Sequence, residues 1–170
     1  PIKTEAQYPG IKVEGDQYWQ THYSEGVYVG YRWYDSKNVP VQWPFGHGLS
    51  YTTFEYSNAK ASKPVMKKGG TIKVSVDVTN TGDVDGAEIV QLYIADPEAS
   101  IDRPSKELKG FEKVYIKAGQ TAQVTFEISE DALSFFDAEK HEWVAEPGEF
   151  QALFAASSKD VKAMASFMLK

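Results

Sequence analysis

The chain has 170 residues, of which 42% are hydrophobic and 14% aromatic, so it can form one packed domain plus an extension and is not a disordered chain. Its net charge of −6, without a long basic run, makes nucleic acid and anionic membranes unsuitable partners. Because it has no cysteine, disulfides, thiolate zinc sites and a thiol nucleophile are excluded, although the compartment stays open between cytoplasm and cell exterior.

The first third of the chain is rich in aromatic residues. Residues 1–15 show little periodicity and predict a loop that lies across a neighbouring surface. Residues 26–34 place large apolar or aromatic groups at both odd and even positions, which predicts a strand with two apolar faces. A strand of this kind needs cover on both sides, as in the sheet of an α/β domain. Gly46 and Gly48, on either side of His47, then predict a tight passage into the next β segment.

From residue 51 onward the pattern becomes that of a β-sandwich. Residues 71–79 alternate strictly, with Ile72, Val74, Val76 and Val78 on one face. The turn at residues 80–86 leads to a strand over residues 88–94, and further strands are predicted over residues 106–116 and 120–128.

The last quarter completes the strand count. Residues 129–133 predict one helical turn with Ser129 as its N-cap, and residues 135–137 and 142–144 predict a hairpin. Strands over residues 150–155 and 163–169 follow. About seven short strands without helices of ordinary length predict an immunoglobulin or fibronectin type III-like sandwich.

Several motifs of the chain resemble the family 3 glycoside hydrolases, the β-glucosidase family. The segments SEG, GYR, YD and PFGHGLSYT between residues 24 and 52 are similar to the end of that family's second, α/β domain. The segments RPSKELKGFEKV at residues 103–114 and EPGEF at residues 146–150 are similar to its C-terminal fibronectin type III-like domain. The resemblance implies that residues 1–56 end the α/β domain and form a linker, and that residues 57–170 form the fibronectin type III-like domain.

The same resemblance implies a function. Members of the family hydrolyse terminal β-D-glucosyl residues with retention, using an aspartate followed by tryptophan in a barrel domain and a glutamate in the second domain upstream of the matching segment. No Ser-Asp-Trp run occurs in this chain. We therefore expect the chain alone to be inactive and to brace a parent β-glucosidase. Its expected partners are the barrel and α/β domains, in the same or a companion chain, and a β-glucoside or oligosaccharide substrate; no cofactor or metal is expected.

Two other hypotheses for the function stay open. The alternative for the parent enzyme is a β-xylosidase of the same family. A different class, a non-catalytic module that binds carbohydrate or protein, would use tryptophans that stack on sugar rings, and the candidates are Trp19, Trp33, Trp43 and Trp143. The two-faced strand at residues 26–34 favours the enzyme, because a free-standing module has no use for it.

Three charged residues in the aromatic segment are candidates for the rim of a sugar site: Glu25, Arg32 and Asp35. The alternative for Arg32 is a structural ion pair with a carboxylate, to which its planar guanidinium is suited, and this alternative is favoured. His47 has no second histidine nearby, and the DVDG run at residues 83–86 lacks the remaining ligands of a calcium loop. Both are therefore predicted to be structural.

Overall fold

The computed structural model describes residues 25–170 without interruption and, before them, residues 11–12, 14–15, 17 and 19–20. Most of the predicted loop over residues 1–15 lies outside the described residues. Within the described part, β1 (Ile11–Lys12) and β2 (Trp19–Gln20) pair antiparallel. No described helix has the length and apolarity needed to cross a membrane.

Two antiparallel sheets form the sandwich that the sequence predicts, and that prediction is confirmed. Their strands are β3 (Phe54–Ala61), β4 (Val65–Met66), β5 (Thr71–Asn80), β6 (Gly86–Ala95), β7 (Glu107–Ile116), β8 (Thr121–Ser129), β11 (Gly148–Ser157) and β12 (Asp160–Leu169). The three-stranded sheet has the order β3-β5-β8 and the five-stranded sheet the order β4-β12-β11-β6-β7, in which β4 pairs in parallel with β12.

The core lies between the two sheets and follows the alternation of the strands. Ile72, Val74, Val76 and Val78 of β5 are buried there, as predicted, and meet Leu92 and Ile94 of β6 from the facing sheet. Phe150, Phe154 and Phe167 add the largest apolar side chains from β11 and β12. Each such side chain contributes about 1.5–3 kcal/mol when it leaves water. The sandwich therefore has a core of its own.

Strand β6 is unusual because it is buried on both faces. Leu92 and Ile94 point into the core, whereas Gln91 and Tyr93, on the opposite face of the strand, are 4% and 0% exposed. Residues 25–50, which we call the anchor segment, cover this outer face. The extension and the sandwich therefore share a second, smaller packed layer.

The predicted strand over residues 26–34 is wrong. Residues 25–29 form tight turns, with a hydrogen bond from Tyr28 N to the Glu25 carbonyl, and Tyr31–Ser36 form the short helix α1. Gly30, at φ 60°, interrupts the extended chain immediately before the helix, a conformation that favours glycine. The segment consequently adds no strand to a sheet, and its aromatic groups are divided between the sandwich surface and solvent.

The end of the sandwich agrees with the sequence except in one detail. Glu130–Ala132 form a 3₁₀ turn, but Ser129 at its N-cap makes no side-chain capping bond. The predicted hairpin is confirmed: β9 (Phe135–Asp137) pairs antiparallel with β10 (Glu142–Val144).

Candidate functional site

The anchor segment is attached to the outer face of the five-stranded sheet through Tyr31. Its ring stacks on Phe45 with centroids 4.9 Å apart and meets Tyr93 edge-on at 5.9 Å. Its hydroxyl accepts a hydrogen bond of 2.8 Å from the Leu108 backbone N–H of β7. Tyr31 therefore joins the helix, the following loop and two strands of the sheet.

Gln91 fixes the loop after the helix. Its Nε2 donates to the carbonyls of Gly46 at 3.0 Å and Ala156 at 2.9 Å, while its Oε1 accepts from the Tyr93 hydroxyl at 2.7 Å. Gly46 has a φ of 78°, and a Cβ placed there would lie 2.4 Å from the Gln91 amide. Only glycine fits this crossing point without displacing the amide.

Two ion pairs hold α1 to the first residue of strand β7 and to the residue just before it. Arg32 Nη2 lies 2.9 Å from Glu107 Oε1, and Asp35 Oδ2 lies 3.0 Å from Lys106 Nζ. Asp35 also faces Lys159 at 3.5 Å, so its carboxylate is shared by two cations. The carboxylate partner that the sequence interpretation assigns to Arg32 is therefore Glu107.

Arg103 lies at the centre of a larger charged network. Its Nη1 donates to Asp96 Oδ2 at 3.0 Å and to the Leu133 carbonyl at 3.1 Å, while its Nη2 donates to Glu107 Oε2 at 2.9 Å. The side chains of Arg103, Asp96 and Glu107 are 9%, 7% and 15% exposed. One guanidinium thus links the β6 end, β7 and the loop before β9.

Burial and ion pairing shift the pKa values of the acids in this network in opposite directions. Burial works against ionisation of Glu107, but the hydrogen bond from Arg103 and the charges of Lys109 and Arg32 outweigh it, and its pKa lies below the ordinary value. At Asp96 burial prevails over the attraction of Arg103, so its pKa is raised. Burial likewise lowers the pKa of Lys109, against the attraction of Glu107.

A cleft of about 400 Å³ opens beside this network, and Asp96, Asp102, Arg103 and Gln151 are among its lining residues. Asp96 is bound to Arg103, and Asp102 Oδ1 accepts from the Tyr28 hydroxyl at 2.5 Å. The two acids that line the cleft are therefore engaged in structural contacts, whereas retaining hydrolysis needs a free carboxyl pair about 5 Å apart. Within the described residues no group of three or more His, Asp or Glu side chains is arranged to hold a metal.

The structure brings together two of the three sequence candidates. Arg32 and Asp35 lie on one helix and pair with Glu107 and Lys106 respectively, whereas Glu25 lies in the turn before the helix. Sequence reasoning gave no roles to Arg103, Lys106 and Glu107, although they stand in the RPSKELKG motif used for the resemblance. The clustering of four charges in that short motif was the available signal.

The remaining candidates have local contacts. His47 stacks on Trp43 with ring centroids 4.9 Å apart. Asp85 of the DVDG run accepts from the Ala118 backbone N–H at 2.9 Å and from the Tyr115 hydroxyl at 3.2 Å. The structural roles of His47 and of the turn stay predictions.

Comparisons with known proteins identify the family. Residues 88–158 match the fibronectin type III-like domain. The chain is 49% identical over 163 residues to Beta-glucosidase BoGH3A of Bacteroides ovatus, covering 96% of this chain and 21% of that protein. It is 43% identical over 139 residues to an exo-alpha-(1->6)-L-arabinopyranosidase of Bifidobacterium breve, covering 82% of this chain and 18% of that protein.

A solved structure gives the same result. The crystal structure of the GH3 beta-glucosidase of Bifidobacterium adolescentis matches with a TM-score of 0.81 and 43% identity, over 88% of this chain and 22% of that one. The chain thus spans about a fifth of the length of the relatives it matches. It belongs to the family 3 glycoside hydrolases and corresponds to their C-terminal part, which carries the fibronectin type III-like domain.

Proposed function

We propose that the chain is the bracing part of a retaining β-glucosidase whose two catalytic carboxylates lie outside these 170 residues. The observation that carries this proposal is the attachment of the anchor segment to the sandwich by stacked rings, buried ion pairs and the Gln91 amide. A segment held this firmly can present one fixed surface to a neighbouring domain.

The surface offered to that neighbour consists of apolar side chains that the sandwich leaves uncovered. Val27 and Val29 are 51% and 61% exposed, while Leu49 and Tyr51 are almost wholly exposed. Apolar groups gathered in one segment of a soluble protein favour an interface. We assign this surface to contact with the rest of the α/β domain of the parent enzyme, of which residues 1–56 form the end and linker. The boundary with the fibronectin type III-like unit lies between residues 56 and 57, just inside β3.

The rim of the sugar site is the second element of the proposal. Asp35 is committed to Lys106 and Lys159, and Arg32 to Glu107, which supports bracing as the main role of both residues. Glu25 and Arg32 then remain the candidates for contact with a substrate. The side chain of Arg32 is one-third exposed, so its outer edge is accessible.

Activity assays test the proposal directly. The purified chain should not turn over a chromogenic β-glucoside, whereas the longer protein that contains it should, releasing the β-anomer of glucose first as seen by NMR. Activity of the chain alone, or initial release of the α-anomer by the longer protein, would contradict us. Comparing β-D-glucoside, β-D-xyloside and α-L-arabinopyranoside substrates in the same assay separates the β-glucosidase from its alternatives.

A variant separates bracing from a rim role. Arg32→Ala in the longer protein should lower the thermal unfolding midpoint, lower the apparent kcat only in proportion to the folded fraction, and leave KM unchanged. A rise in KM with an unchanged midpoint would instead assign Arg32 to the substrate rim.

A further inference from the structure

The β9–β10 hairpin carries an aromatic pair on its solvent face. Phe136 and Trp143 stand directly opposite each other in the ladder, and their rings meet edge-on with centroids 5.7 Å apart. They are 49% and 70% exposed. On the other face, Phe135 is buried and lies beneath the Arg103 guanidinium at 5.5 Å. One face thus anchors the hairpin while the other presents two rings to solvent.

The turn of this hairpin is held in one conformation. The Asp137 carboxylate accepts from the backbone N–H groups of Glu139 at 3.0 Å and Lys140 at 3.1 Å, and it also binds Lys140 Nζ at 2.8 Å. His141 completes the turn with a φ of 56°. A fixed turn keeps the two rings in position before any ligand arrives, which reduces the entropy lost on binding.

The size of the aromatic pair decides what kind of partner it fits. A fully exposed Phe or Trp offers roughly 150–250 Å² each, so the exposed fractions leave about 200–300 Å² for contact. A stable protein interface buries about 800 Å² on each partner. The pair alone therefore offers much less area than a protein interface needs, and its area is comparable to one or two sugar rings.

The chemistry of the hairpin agrees with a neutral sugar. The face of an indole ring carries partial negative charge and attracts the C–H-rich face of a pyranose. Hydroxyl groups of the sugar can find donors and acceptors in Lys140, His141 and Glu142, which immediately precede Trp143 and are exposed. An anionic ligand is disfavoured by the negative charges of three carboxylates in the hairpin, those of Asp137, Glu139 and Glu142.

We propose that the Phe136–Trp143 pair is a binding site for a neutral β-linked gluco-oligosaccharide. The choice of glucose as the sugar rests on the proposed function, whereas the aromatic site itself does not. Such a site would hold an oligosaccharide on the sandwich without hydrolysing it.

The test is a titration of the isotopically labelled chain with cellohexaose, followed in NMR spectra through the indole N–H resonances and, for the Trp143 variants, through the backbone amides of the β9–β10 hairpin. We expect the Trp143 resonance to shift, with an affinity in the millimolar range. Trp143→Ala should weaken binding by about tenfold or more. Trp43→Ala is the matched control, because Trp43 is 64% exposed but lies in the anchor segment, and it should leave the affinity unchanged.

Trp143→Leu keeps apolar bulk without the flat ring, so it should weaken binding similarly and protects the test against a folding defect in the alanine variant. Thermal unfolding of each variant verifies that it is folded.

An unshifted Trp143 resonance would overturn the proposed site. So would Trp143 variants that bind cellohexaose with the same affinity as the unsubstituted chain. Binding of xylohexaose but not cellohexaose would overturn the choice of sugar, and concentration-dependent self-association lost in Trp143→Ala would show a protein partner instead. Hydrolytic activity is not measured, so failure here is distinct from failure of the proposed function.

Discussion

Replacing Arg103 by leucine tests the charged network most directly. The change removes the cation bound to Asp96 and the donor bound to the Leu133 carbonyl, and one of the cations bound to Glu107. Glu107 keeps Arg32 and Lys109 as partners, so the main cost falls on Asp96, which is left buried without its cation. Breaking a buried pair in this way costs about 3–5 kcal/mol. We expect the free energy of unfolding at pH 7 to fall by that amount.

The pH dependence of this cost has a definite sign. The pKa of Asp96 is already raised by burial in the intact chain, and loss of Arg103 raises it further. An acid whose folded pKa lies above its unfolded value stabilises the fold more as the pH falls. The destabilisation caused by Arg103→Leu should therefore shrink on acidification below pH 7, by at most about 1.4 kcal/mol per pH unit.

Urea unfolding followed by circular dichroism at pH 7 and pH 5 measures both effects. Lys113→Leu, at an exposed position on strand β7, is the control and should change stability by no more than about 0.5 kcal/mol. Asp96→Asn added to Arg103→Leu should recover part of the loss, because the unpaired charge is gone. A loss below about 1 kcal/mol at pH 7, or one that grows on acidification, would refute the argument.

Three further outcomes are expected in the same unfolding assay. Gly46→Ala should cost at least about 1 kcal/mol, because of its positive φ and the overlap of an added Cβ with the neighbouring amide, whereas Gly48→Ala, with open space around it, should be nearly neutral. Phe154→Ala should cost about 3–5 kcal/mol through a core cavity, whereas the exposed Phe111→Ala should cost less than about 1 kcal/mol. Deletion of residues 1–50 should leave one cooperative transition at a lower midpoint, because the outer face of β6 becomes exposed; an unchanged midpoint would contradict the packing described here.

The sandwich could be predicted because its strands follow a simple rule. In β5 every second residue is branched and apolar, and one face of a sheet is the only regular structure that buries such a set together. The same rule located β7, β8 and the β9–β10 hairpin to within one or two residues. The positions of these strands follow from the alternation of adjacent residues and from the burial of one face in a single core.

The anchor segment could not be predicted by that rule. Its helix has six residues, fewer than two turns, so a period of 3.6 residues leaves too few repeats to be recognised. Its conformation depends on Gly30 and on distant partners, since Tyr31 is held by Leu108 and Arg32 by Glu107. Apolar or aromatic residues at both odd and even positions over residues 26–34 suggested burial on two sides, whereas the fold divides them between the sheet and an outward surface.

The covering of β6 by residues 25–50 has a practical consequence for making chimeras between relatives. A boundary drawn where the first sandwich strand begins, near Phe54, would transplant a sheet whose outer face had lost Phe45 and Tyr31. Gln91 would also lose its acceptor at Gly46, and Lys106 its carboxylate. A graft that begins at Glu25 carries these contacts with it, so the unit to exchange is longer than the sandwich by one short helix and its loop.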